Sequence, residues 1–283
     1  MRSALLKFAG WVARTLPVPI KQQLYRLGPL SRVLRQTLNR AAPTELTVVN
    51  ISSGAAQGMQ MRLNLQLEKD YWLGTYEQAL QNTLKILIQS GMVVYDVGAN
   101  IGFVTLALAK QVGPTGHVYA FEALPHNFAR LQDHIALNNL SHVTTIHAAV
   151  TNTNQPVNFL VHPVSTSMGK ASGSAGRTDA YEHSIEISAC TLDSFGYTQI
   201  NSLPDVIKLD IEGGEVLALP GMARILREAR PILLLELHGE EAARVAWETL
   251  THADYTLIDM DTGQPIPTRD ALDWKAYLIA HPV

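Results

Sequence analysis

Residues 93–108, VVYDVGANIGFVTLAL, decide the fold. Val93, Val94 and Tyr95 make an apolar, β-prone run that Asp96 ends, and Gly98, Asn100 and Gly102 supply a turn whose backbone can come close to a ligand. Phe103, Leu106, Ala107 and Lys110 then fall at helical spacing. A strand, a glycine-rich turn and a helix in that order form the place where an α/β sheet holds a nucleotide-like cofactor. The acid at the strand's carboxyl end suits an ammonium or a hydroxyl-bearing ligand and repels a pyrophosphate. The GxGxxG spacing of dinucleotide-binding loops is absent.

Outward from this segment the rhythm repeats. Residues 118–121 read as a short apolar strand with Glu122 at its end, and Pro125 opens a helix to about Asn138, since proline fits a first helical turn. The interval from Gly98 to Glu122 is close to the roughly 20 residues between a glycine turn and a ribose-binding carboxylate in a βαβ unit. Glu122 is therefore the candidate for ribose hydroxyls, against the alternative of a solvated loop glutamate. A strand at 143–147 leaves through Ala148 and Ala149, beside which an adenine could lie, and another strand follows at 157–161. Residues 162–184, HPVSTSMGKASGSAGRTDAYEHS, lack periodicity and read as a long loop, either an acceptor-binding flap or a disordered insertion.

Residues 206–210 form an apolar strand containing Lys208, and its carboxyl end delivers Asp210, Glu212 and the Gly213-Gly214 turn. The next strand, 232–237, brings Glu236 and His238 to its end. Two neighbouring strands thus aim carboxylates and an imidazole at one crevice, where ligands gather in open α/β sheets. That constellation suits removal of a proton, which needs a positioned base. His238 is the leading candidate because an unperturbed imidazole titrates near neutrality, although it also reads as a hydrogen-bonded strand-end histidine without a chemical role. Asp210 orients the acceptor or a ligand ammonium, and Glu212 completes the catalytic set. Asp210, Glu212 and His238 could ligate one Mg²⁺, but imidazole is not a preferred partner of that ion, and no metal is expected. Lys208 reads as a counter-charge for a nearby carboxylate.

Five strings in order, DVGANIG (96–102), AFEALPHNFARLQDHIALNNL (120–140), TLD (191–193), IKLDIEGGE (207–215) and LLLELHG (233–239), resemble the FkbM family of S-adenosylmethionine-dependent methyltransferases. The resemblance covers about residues 71–283. The family pattern has a proline where this chain has Ala123 and an asparagine where it has His134, and neither change removes a carboxylate or a turn glycine. The resemblance implies a class I, Rossmann-like methyltransferase fold, with a doubly wound, mostly parallel, seven-stranded sheet. It also implies S-adenosylmethionine as cofactor, with Asp96, Gly98, Asn100, Gly102, Glu122, Ala148 and Asp210 around it. A Tyr-Glu pair at the position of Tyr76 and Glu77 approaches the cleft in the family; in its own context the pair reads as the start of an amphipathic helix over 78–89, with Glu77 favoured by the helix dipole. The implied reaction is methyl transfer to a hydroxyl of a carbohydrate or natural product.

Two other readings compete. A nicotinamide-dependent dehydrogenase is disfavoured by the glycine spacing, whereas a non-catalytic S-adenosylmethionine-binding scaffold would recruit partners through a basic N-terminus. The 283 residues can bury one sizeable α/β core with an extension before it. A net charge of −3 argues against generic nucleic-acid binding. The single cysteine, Cys190, excludes an intrachain disulfide and reads as inert core, compatible with a reducing cytoplasm.

The charge is unevenly placed. Arg2, Lys7, Arg14, Lys21, Arg26, Arg32, Arg35 and Arg40 precede the first acid, Glu45, which leaves −11 for the remainder. Leu5, Leu6, Phe8, Trp11 and Val12 interleave with these bases. Residues 1–40 therefore read as a helical cap on the catalytic domain or as an arm resting on the inner face of an anionic membrane. No small-residue cleavage pattern marks a secretory signal, and no run is long and apolar enough to span a membrane. Residues 46–51 and 59–65 bracket SSGAAQG as a β-hairpin expected to cap one sheet edge. Helices over 215–229, interrupted at 220–221, and 240–252 cover the sheet, and strands at 255–260 and 274–280 close it. The expected organisation is a basic helical and hairpin extension, 1–70, followed by a methyltransferase domain, 71–283. Its expected setting is cytoplasmic or peripheral to the inner membrane face, with a small-molecule or glycan acceptor and no nucleic acid; no pattern fixes an oligomeric state.

Overall fold

The computed structural model describes residues 45–161, 169–175, 183–273 and 275–283, so the basic segment 1–40 and much of the expected flap lie outside the described residues. A hairpin of β1 (Thr47–Asn50) and β2 (Gln60–Leu63) precedes the main sheet, whose strands begin with β3 (Val93–Val97), β4 (His117–Phe121) and β5 (Val143–Ile146). After β5 come β6 (Ala149–Val150), β7 (Val157–Val161), β8 (Gly169–Ala171), β9 (His183–Ile187) and β10 (Ala189–Cys190). The chain then adds β11 (Val206–Leu209), β12 (Ile232–Glu236), β13 (Tyr255–Asp259) and β14 (Tyr277–Pro282). The main sheet runs β13-β14-β12-β11-β3-β4-β5, and only β14 is antiparallel to its neighbours.

This order follows from strands that are apolar on both faces. Tyr95, Val97, Ile207, Leu209, Leu233 and Leu235 pack against Leu219, Ile225 and Ala246 on one side. Val94, Val206 and Leu234 alternate to the other side, where they meet Leu84 and the wholly buried face of the helix Phe103–Val112. From β3 the chain moves outward to β4 and β5, then returns to build β11 and β12 on the opposite flank. The direction of winding therefore reverses between β3 and β11, and a crevice opens at the carboxyl ends of those two strands.

Three sequence expectations are corrected. The hairpin forms a two-stranded sheet of its own and caps no edge of the main sheet. Its free donors are met instead by the helix Pro125–Leu137 and the residue after it: Gln60 N–H donates to Asn138 Oδ1 at 2.7 Å and Arg62 N–H to His134 Nε2 at 3.0 Å. His134 also donates from Nδ1 to Ile101 O at 2.6 Å, so it ties the glycine bend to the hairpin, and burial lowers its pKa. Secondly, residues 162–184 are not one loop. Residues 169–171 and 183–187 flank β7 in an antiparallel sheet of order β8-β7-β9, because Phe159, Ala171 and Ile187 share a buried face. Thirdly, the last strand starts at Tyr277, with Trp274 outside the described residues. Among the described residues no helix is long and apolar enough to cross a membrane.

Candidate active site

At the switch between β3 and β11 lies a cleft of about 800 Å³, within the range of roughly 300–1,000 Å³ usual for small-molecule sites. Its first end is made by the glycine bend. Gly98 (φ +81°) and Ala99 both donate their N–H to Phe121 O, at 3.0 and 2.9 Å. A Cβ on Gly98 would lie 1.8 Å from Asp210 O, so the bend and the tip of β11 touch backbone to backbone. Asn100 (φ +50°) turns its N–H onto Glu122 Oε2 at 2.8 Å. The other oxygen of Glu122 accepts from Leu124 N–H at 2.8 Å and from Asn127 Nδ2 at 3.4 Å. Burial raises the pKa of Glu122, and these donors oppose the rise without cancelling it. Leu124, Ala148, Ala149 and Val150 add a flat apolar wall, and Phe159 and Ala171 of the small sheet line the cleft as well.

The second end is acidic. Glu77, Asp210, Glu212 and Glu236 line it with Lys208, His238, Tyr71, Tyr76 and Tyr277. Glu77 is not in a helical first turn; it precedes the helix Gln78–Leu87 in the left-handed region at φ 43°. Gln81, buried in the helix, donates to Tyr76 O and accepts Ala55 N–H at 2.8 Å, and so fixes this corner. Tyr71 and Tyr76 pack at 4.6 Å between centroids and share Phe103 as a third ring. Burial pushes the Tyr71 hydroxyl up to about 12 and raises the pKa of the Tyr76 hydroxyl and of the Glu77 carboxyl, the last with help from the Asp210 charge.

Lys208 explains how so many acids coexist. It is 4% exposed, donates to Gly98 O at 2.8 Å, and lies 3.5 Å from both Asp96 Oδ1 and Asp210 Oδ2. Burial would lower its pKa, but Asp210 and Asp96 outweigh that and raise it. The expected counter-charge role of Lys208 is what the geometry shows, with the strand register setting Lys208 beside Asp96.

His238 sits among four carboxylates. Its Nδ1 is 3.3 Å from Glu215 Oε1, and its Nε2 lies 3.5 Å from Glu236 Oε1 and 3.9 Å from both Asp210 Oδ1 and Glu212 Oε2. Burial would lower the His238 pKa, yet the hydrogen bond and charge of Glu215, joined by Asp210 and Glu236, carry it up to about 9. The candidate base of the sequence thus has its charged form favoured by its carboxylate neighbours. Glu236 moves the other way for a carboxylate: burial, then Asp210, push it up to about 7 against the opposing effects of His238 and Tyr277.

Of the sequence-predicted site residues, Tyr76, Glu77, Gly98, Asn100, Glu122, Ala148, Asp210, Glu212 and His238 line the cleft together. Asp96 and Gly102 do not. Asp96 lies inside β3 rather than at its end, is fully buried, and accepts Thr105 Oγ1–H at 2.6 Å, so it supports the floor through Lys208. Gly102 (φ +96°) caps the helix Phe103–Val112, where a Cβ would meet Leu131 Cδ1 at 2.7 Å; its role is packing. Sequence reasoning gave no role to Glu215, Tyr71 or Tyr277. Tyr277 pairs with Glu236 across β12 and β14, a register that no local pattern announces. Asp210, Glu236 and His238 offer ligand atoms within 4.8 Å of one another, with Glu236 in the place expected for Glu212. The imidazole makes that set a poor match to Mg²⁺.

A doubly wound sheet with a single antiparallel strand next to one edge, and an acid-rimmed cleft at its winding switch, defines a class I methyltransferase fold. The chain belongs to the FkbM methyltransferase family: the family's methyltransferase FkbM domain matches residues 96–259. It is 23% identical over 185 residues to the hexuronic acid methyltransferase AglP of Haloferax volcanii, covering 64% of this chain and 72% of that protein. Among solved structures it is similar to an FkbM methyltransferase from Methylobacillus flagellatus, at 21% identity and a TM-score of 0.44 over 68% of this chain and 44% of that one. It is also similar to a SAM-dependent O-methyltransferase from Thermotoga maritima, at 12% identity and a TM-score of 0.41 over 74% of this chain and 65% of that one. The chain thus spans less than half the length of the first of these structures.

Proposed function

We propose that this protein transfers a methyl group from S-adenosylmethionine to a hydroxyl oxygen of a carbohydrate. The carrying observation is the division of one cleft into a glycine-and-Glu122 end and an acid-and-imidazole end. At the first end, Glu122 fits a ribose diol, since both its oxygens are already aimed by N–H donors, and Leu124, Ala148 and Val150 fit a flat base. Glu77 and Asp210, in the second end, fit a cationic amino-acid portion. A pyrophosphate would meet these carboxylates instead, and Lys208 already serves Asp96 and Asp210. That arrangement speaks for the sulfonium donor over a dinucleotide.

Bound there, S-adenosylmethionine supplies an electrophilic methyl carbon on a positively charged sulfur. The chain's own part is to position the acceptor and move one proton. Glu236, with its pKa near 7, takes the hydroxyl proton as the oxygen–carbon bond forms and the sulfur–carbon bond breaks. Protonated His238, 3.5 Å away, presents an Nε2–H to the same oxygen and stabilises the negative charge that develops on it. A sugar acceptor takes support from the relative described as a hexuronic acid methyltransferase.

Calorimetry with S-adenosylmethionine and with NAD, followed by S-adenosylhomocysteine release over a panel of sugars and uronic acids, tests the reading. Binding of the sulfonium donor with sugar-dependent turnover is expected. Tight NAD binding with none of the donor overturns it, and donor binding without turnover on any acceptor returns the scaffold reading.

A further inference from the structure

Glu215 opens the short helix Glu215–Ala218, a place where an acid ordinarily faces water and interacts with the helix dipole. Here it is fully buried. One oxygen, Oε1, accepts Ile211 N–H at 3.2 Å and faces His238 Nδ1 at 3.3 Å, while Oε2 has no hydrogen-bond partner. A carboxylate removed from water costs several kcal/mol unless a cation offsets it, and the imidazole is the charged partner within reach. The tether also has a direction. With Nδ1 engaged on the buried side, Nε2 is left facing the cleft, where Asp210, Glu212 and Glu236 converge on it.

We propose that Glu215 is a positioning residue: its buried carboxylate accepts the Nδ1–H of His238 and thereby holds the ring as an imidazolium whose Nε2–H faces the acceptor oxygen. This rests on the reading of His238 and Glu236 as the pair that handles the acceptor proton. On the Nε2 side are Asp210 and Glu212 from the loop after β11 and Glu236 from β12; Lys208 stands behind Asp210, Tyr277 behind Glu236, and Glu77 lies across the cleft. The three Nε2-side carboxylates also favour a charged ring, but all border the cleft and water weakens their pull. Among these groups, Glu215 is the one that is fully buried, and it engages Nδ1, which leaves Nε2 pointing inward.

The test uses the full chain with isotope-labelled histidine, its His238 signal assigned by loss in His238→Gln. In the unaltered protein that imidazole should titrate near 9 with Nδ1 protonated throughout. In Glu215→Gln the amide oxygen can still accept Ile211 N–H, which favours folding, but the charge is gone. The titration should then fall by about one pH unit or more. The alkaline limb of kcat should fall with it, while KM for the donor is unchanged. An unaltered protein whose His238 titrates like a free imidazole overturns the proposal without recourse to any variant, as does a Glu215→Gln titration identical to the parent. A shifted titration with an unmoved kcat profile overturns the positioning role; in that case methyl transfer itself still stands or falls on S-adenosylhomocysteine release.

Discussion

The two ends of the cleft each centre on a glutamate at a strand tip, and the two are held in opposite ways. Glu122 has both oxygens occupied by backbone and amide N–H donors from residues close to it in sequence or in the glycine bend. Glu236 looks instead at Asp210, His238 and Tyr277, groups that can themselves gain or lose protons. A carboxylate clamped by fixed donors is suited to holding a ligand, and one balanced among titratable neighbours is suited to exchanging a proton.

The sharpest way to break this contrast is Glu236→Gln, which keeps the shape and removes the base. Turnover should fall about 10²–10⁴-fold, the usual weight of a positioned general base, with donor affinity little changed by calorimetry. Retained turnover would move the proton acceptor elsewhere and erase the distinction between the ends. Next in size is Asp96→Ala. Removing one partner of the buried Asp96–Lys208 pair should cost about 3–5 kcal/mol of stability, read from denaturant unfolding. A loss of donor binding in a protein of undiminished stability would show instead that Asp96 reaches the ligand. Glu122→Ala should be milder, weakening donor binding by about 1–3 kcal/mol and leaving kcat at saturating donor near its original value. A kcat defect there would show that the ends do not work independently.

How far each end could be read in advance follows the same division. The donor end is contiguous: Gly98, Asn100 and Glu122 come from one strand–turn–helix–strand unit, and their spacing is a property of the sequence. The acidic end is assembled by the sheet. Glu77, Asp210, Glu236 and Tyr277 arrive from four separate elements, so they come together only once β11, β12 and β14 are paired. His238 is legible because it follows an apolar strand, but the pull that raises its pKa is not, since the Glu215 beneath it reads in sequence as an ordinary helix start. Asp96 stands a single step inside the end of β3, where alternation buries a side chain that the sequence places at the strand's tip. The hairpin's position depended on His134 and Asn138, polar residues on the helix Pro125–Leu137 and just after it, whose partners lie far back in the chain.

The carboxylates around His238 should also leave a mark on stability. The folded pKa of His238, about 9, stands above its ordinary value of 6.5. Its contribution is therefore complete below about pH 6.5 and is lost as the pH rises through about 9. The thermal midpoint should decline across that window in the parent and decline less in His238→Gln. A parent midpoint that is flat from pH 6.5 to 9.5 argues for a neutral ring and returns His238 to the role of base.

The smallest expected effect is none at all, from a chelator. Asp210, Glu236 and His238 come within 4.8 Å of one another, close enough for a divalent ion to bridge them after slight adjustment. Such an ion would have to displace the proton that His238 holds and compete with the pull of Glu215 and Glu236 on it. In that arrangement the cluster already contains its positive charge, so turnover should be unchanged after exhaustive treatment with EDTA. A loss of rate restored by Mn²⁺, accompanied by a manganese paramagnetic signal that disappears in His238→Gln, would turn the acidic end into a metal centre. The opposition between a clamped and a titrating glutamate would then become one between a clamped and a metal-bound one.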